Sequence, residues 1–126
     1  VFEENDIMEL NEINDMLELA RETRKKIRKI FGERVDTIAG YDYADEPSHQ
    51  TFKLDFKVYD YFAIEFHYEN DLCEFFIVLT KEVKISITKE PAVYSQITDW
   101  DSYLKGIKDE LELRIPDKFL KAKGWL

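Results

Sequence analysis

The chain has 126 residues, 44% hydrophobic, 14% aromatic and 36% charged, with a formal charge of −9. That excludes disorder and fits one ordinary domain, 1–126, with a core of its own. The acidity argues against direct nucleic-acid binding, because neutralising phosphates requires Lys and Arg. It leaves open a basic protein partner, drawn by complementary fields, beside the plainer alternative that charge serves solubility. No apolar run approaches the roughly 20 residues needed to cross a bilayer, and the start lacks a basic-then-apolar signal pattern. A lone Cys73 offers no internal disulfide and suits a reducing compartment. A cytoplasmic protein is the expectation.

In chain order, Val1–Glu4 reads as a frayed end, and Asp6 with Glu9 has the form of a capping box. Ile7, Leu10, Ile13, Leu17, Ala20, Ile27 and Phe31 follow helical spacing, widened by Met16, Leu19 and Ile30. They predict one long helix from Asp6 to Phe31, ended by Gly32. Acids fill its first half and bases, from Arg21 to Lys29, its second, as the helix dipole favours. Val35 to Tyr43 can form a weaker first strand, and Ala44 to Gln50, with Pro47, reads as an exposed loop.

Thr51 to Thr88 predicts four strands of an antiparallel meander. Phe52, Leu54, Phe56 and Val58 alternate with Thr51, Lys53, Asp55 and Lys57. Phe62, Ile64, Phe66 and Tyr68 alternate with Tyr61, Ala63, Glu65 and His67. Turns are expected at Tyr59-Asp60, Glu69-Asn70-Asp71 and Lys81-Glu82. The third strand, Leu72 to Thr80, is apolar on both faces, which marks it as central or covered. In the fourth, Val83, Ile85 and Ile87 face the core and Lys84 guards an edge. After a connector over Lys89 to Ile97, Thr98 and Asp101 read as cap and cap partner. The next helix buries Trp100, Tyr103, Leu104, Ile107 and Leu111. Pro116 breaks it, and Asp117 to Lys123 starts a short last helix with Trp125 free to pack back. The fold class is α+β: a long N-terminal helix, a four- to five-stranded antiparallel meander, and C-terminal helices on one sheet face.

Phosphate-binding, zinc and nucleophile-elbow motifs are absent, so no catalytic residue, cofactor or metal ligand is assigned. Asp55, Glu65, His67 and Glu74 are expected on the outward sheet face beside Tyr61 and Phe76. A histidine among carboxylates can serve acid–base chemistry, or the group can simply be cross-strand pairing with Lys53, Lys57 and Lys84. Asp42, Asp45, Glu46 and His49 place oxygen and nitrogen donors in the loop before the meander, without the spacing of a calcium loop. With Tyr41 and Tyr43 that loop is a candidate contact surface, since tyrosine offers rigid area with a polar tip. The partner-binding candidates are therefore Tyr41, Asp42, Tyr43, Asp45, Glu46, Asp55, Tyr61, Glu65, His67 and Glu74.

The acidic helix start, the aromatic meander and the tail from Glu112 to Leu120, ending Lys123-Gly124-Trp125, together prompt a comparison. The whole chain resembles the small immunity proteins that protect bacteria from polymorphic and contact-dependent toxins. That group has many folds and no shared catalytic motif, so no functional residue carries over. The resemblance implies a cytoplasmic, non-catalytic protein that binds one cognate toxin domain tightly. Many such toxins are nucleases with basic clefts, which an acidic inhibitor suits. The alternatives are a small enzyme or ligand-binding domain using His67 and its neighbouring carboxylates, and a subunit of an assembly joined around Phe76 and Val78.

Overall fold

The computed structural model describes the backbone of residues 4–126 and the side chains of 15–126. The expected frayed end, the Asp6–Glu9 capping pair and the positions Ile7, Leu10 and Ile13 lie outside the residues so described. The chain runs α1 (Glu4–Phe31), a 3-10 turn (Gly32–Arg34), β1 (Ala39–Glu46), β2 (His49–Val58), β3 (Phe62–Glu69) and β4 (Leu72–Val78). There follow β5 (Lys84–Ser86), β6 (Ala92–Val93), a second 3-10 turn (Tyr94–Gln96), α2 (Trp100–Leu113) and α3 (Asp117–Ala122). The strands form one antiparallel sheet in the order β1-β2-β3-β4-β5, with β6 on β4 beside β5. This is the α+β meander that the alternation predicts. None of the described helices is long and apolar enough to cross a membrane.

Two tight turns set the register. Tyr59 and Asp60 take positive φ of 58° and 52°, and Asn70 and Asp71 take 45° and 69°. That is the turn geometry whose twist matches antiparallel strands. Tyr61 adds a third residue to the first turn, so Val58 lies opposite Phe62, whereas the second has two residues and sets Glu69 opposite Leu72. The inward parity then falls on Phe52, Leu54, Phe56, Ile64, Phe66, Phe75 and Ile77, all buried. Phe66 is the centre of an aromatic row, with Phe52 at 5.9 Å on one side and Phe75 at 4.8 Å on the other.

The helices close this face. Met16, Ala20, Thr23, Ile27 and Phe31 form the buried seam of α1 and leave Leu17 half exposed. Thr23, a polar member of that seam, is fully buried because its hydroxyl donates to Leu19 O (2.7 Å) and meets Tyr94 Oη at 2.8 Å. Leu104, Ile107 and Leu111 of α2 and Leu120 of α3 complete the core, and Trp125 packs edge-on to Tyr59 at 5.3 Å.

Several expectations need correction. Ala44 to Gln50 is not a loop: β1 runs to Glu46 and pairs with His49, so Pro47-Ser48 is all that turns. The connector hides β6, which adds to β4 at Leu72–Cys73. Asp99, not Thr98, caps α2, accepting from Ser102 N at 3.1 Å. Ile85 has inward parity but is 45% exposed, because the helices stop short of β5, and Leu79 is exposed for the same reason. β4 is central, yet Phe76 and Val78 on its second face are only half buried.

Candidate functional site

With the helices on one side, the opposite face of the sheet lies open, and the register decides what it shows. Lys53 pairs with His67, His67 with Glu74, Asp55 with Glu65, Glu65 with Phe76, and Phe76 with Ser86. Directly opposed residues in antiparallel strands share a face, so these side chains form one patch.

Glu65 is its hub. Its Oε1 accepts the Tyr41 hydroxyl from β1 at 2.6 Å and the Lys84 ammonium from β5 at 3.1 Å, and lies 3.2 Å from His67 Nε2. Its Oε2 lies 3.0 Å from the same ammonium. One carboxylate thus gathers donors from three strands, with its own side chain only 12% exposed. Burial alone would raise its pKa, but the bonds from Tyr41, Lys84 and His67 outweigh that and hold it at about 2. Burial and Glu65 together push the Tyr41 hydroxyl well upward. Burial lowers the pKa of His67 and prevails over the pull of Glu65, so the imidazole is neutral at pH 7. A neutral ring beside an ionised carboxylate must carry its proton on Nε2, and donates it.

Around the hub, Phe76 packs its ring 4.7 Å from His67, and Ser86 Oγ donates to Glu74 Oε2. Two open depressions flank the Glu65–His67 ridge. One, about 510 Å³, is lined by Tyr41, Asp55, Lys57, Glu65, Lys81 and Lys84 among others. The other, about 250 Å³, is lined by Lys53, His67, Leu72, Glu74, Phe76 and Pro91 among others. Among the described residues, no group of three His, Cys, Asp or Glu is arranged to hold a metal ion. Cys73 is buried on the helix side, where burial pushes its thiol up to about 12.

The ten candidate contact residues separate. Tyr41, Asp55, Glu65, His67 and Glu74 come together on the open face. A bulge in β1 divides the rest, because Asp42 and Tyr43 both fall between the Tyr41↔Lys53 and Ala44↔Thr51 pairs, and Asp42 takes φ 54°. Asp42 stays outward, 3.3 Å from Lys53 Nζ, whereas Tyr43 turns to the helix side and stacks on Phe52 at 6.4 Å. Asp45 also turns inward, accepting from Met16 N (3.3 Å) and Gln50 Nε2 (3.2 Å). Glu46 sits at the far end of β1, opposite His49, which lies 3.5 Å from Glu69. The loop cluster of acids therefore does not exist. Tyr61 is not on the open face either: it packs on Phe62 and Phe119 at the β2–β3 turn.

Lys84, expected as a cross-strand partner of the outward carboxylates, and Ser86, which only the outward parity of β5 signals, complete the patch. The charge is also less evenly spread than the total implies. Seven of the 27 acids and none of the 18 bases fall in the first 20 residues, leaving 20 acids and 18 bases beyond. No protein-family model, curated protein or solved structure matches this chain.

Proposed function

We propose that this is a non-catalytic binding protein of the immunity type, neutralising a cognate toxin domain in the cytoplasm through the open face of its sheet. The observation that carries the reading is the Glu65 hub. Tyr41, Lys84 and His67 are drawn into fixed positions around one half-buried carboxylate, beside the half-buried Phe76. A patch ordered before binding loses little side-chain entropy when a partner arrives, which favours affinity. The same bonds speak against acid–base catalysis by Glu65 or Tyr41. Glu65 at about 2 and Tyr41 displaced upward both lie far from the neutral range in which a general acid or base works.

The net charge of −9 fits a basic partner, whose approach complementary fields would speed. Affinity capture from the native cell tests the proposal when wild type and Phe76→Ala are run side by side. The expected result is a stoichiometric partner held by wild type and lost from Phe76→Ala, whose activity the purified protein blocks. A partner retained equally by both, or one whose activity is unaffected, rejects it.

A further inference from the structure

We propose that two copies of this chain join edge to edge through β5, antiparallel about a two-fold axis at Ile85. β5 is an outer strand of the sheet. Leu79 N–H donates to Val83 O, and Ile87 N–H to Phe75 O, each at 2.9 Å. Antiparallel bonding alternates, so Ile85 exchanges its bonds with Ile77 on β4. The N–H and C=O groups of Lys84 and Ser86 therefore turn away from the sheet, as a template for another strand.

β5 is short, three residues, which is one protection of such an edge, but its charge does not guard it. Lys84, the charge expected to guard it, is drawn across the open face to Glu65. The opposite edge, β1, by contrast carries the Asp42 bulge and is tied to α1 through Asp45. Beside β5, Leu79, Val83 and Ile85 are 55%, 48% and 45% exposed, projecting on the helix side beyond the cover of the helices. Large apolar side chains gathered at one exposed place mark an interaction surface.

The segment from Val83 to Ile87 is complementary to itself, which is why the occupant is a second copy. Turned antiparallel about Ile85, Lys84 meets Ser86 of the second copy and Val83 meets its Ile87, so no like charges face each other. The two Lys84–Ser86 pairs are the hydrogen-bonded ones, satisfying the outward backbone groups of both chains. Ile85 meets itself as a non-hydrogen-bonded pair, the kind that brings side chains closest. A groove of about 390 Å³ beside Ile87, lined also by Tyr103, Gly106 and Ile107, lies where the incoming Val83 lands. The open face is left free by this pairing.

The test places a thiol on the axis. In Ile85→Cys the two Cα atoms would stand about 4.5 Å apart, within disulfide reach. Cys73, 1% exposed, does not compete, and Leu113→Cys, at an 81% exposed position of α2, is the control. Under mild oxidation Ile85→Cys is expected to run as a covalent dimer on a non-reducing gel while Leu113→Cys stays monomeric. Light scattering of wild type should show a dimer that grows with concentration, and Ile85→Lys should weaken it by at least about tenfold. Because Ile85 is exposed, both variants should keep the wild-type circular dichroism. A monomer at every concentration, or cross-linking no faster than in Leu113→Cys, overturns the proposal. So does a dimer indifferent to Ile85→Lys, or an edge that pairs only when a different protein is added.

Discussion

Replacing Glu65 by Gln keeps the shape of the hub and removes its charge, so its cost should depend on pH in a defined way. A carboxyl held at about 2 instead of the ordinary 4.5 is worth at most about 3 kcal/mol. Solvent on the open face reduces that to about 2 kcal/mol. Because the folded pKa is the lower one, the unfolded chain takes up the proton first as pH falls. The stabilisation is thus complete above pH 4.5 and disappears as pH approaches about 2. Urea unfolding should show Glu65→Gln less stable by about 2 kcal/mol at pH 7, a midpoint lower by roughly 1 M. The two proteins should converge as pH falls to about 2 and below, where wild type also loses its charge at this position. A difference that persists unchanged at low pH would assign the effect to packing, and no difference at pH 7 would mean that the hub stores no energy.

The folded pKa of His67 lies below its ordinary 6.5, so stability should fall as pH drops through that value. His67→Gln should flatten this part of the urea profile; an unchanged slope would show that the imidazole is not desolvated. Phe66→Ala, at the centre of the aromatic row, should cost roughly 3–5 kcal/mol by the same assay, and an unmoved midpoint would contradict the register. A Cβ at Gly40 would fall on the Tyr43 hydroxyl. Gly40→Ala should therefore destabilise by about 1–3 kcal/mol, and much less in a Tyr43→Ala background, a coupling that a double-mutant cycle measures.

The meander was legible because each of its central strands alternates without interruption and its turns fall at short polar breaks. β1 was not, since its defining feature is a one-residue bulge at Asp42. Without the bulge, Tyr41 and Tyr43 would share a face. With it, one tyrosine joins Glu65 and the other covers Phe52. Pro47 also reads as a loop signal, although it needs only the two-residue turn between long strands. Parity alone could not place Ile85, because exposure there depends on where the helices end. Tyr61 was misplaced for a related reason: at a hairpin turn the strand's alternation no longer governs direction. Within the candidate site, the outward carboxylates and His67 followed from the alternation, whereas their convergence on one carboxylate required the cross-strand register.

The most direct test of the open face as the binding surface is the affinity of the captured partner for two alanine variants. Phe76→Ala removes the aromatic side chain beside His67, and Leu113→Ala trims an 81% exposed leucine on α2. Titration calorimetry should show binding weakened at least about tenfold by Phe76→Ala and unchanged by Leu113→Ala. Equal affinity for wild type and Phe76→Ala, or a loss confined to Leu113→Ala, would place the partner elsewhere and contradict the account.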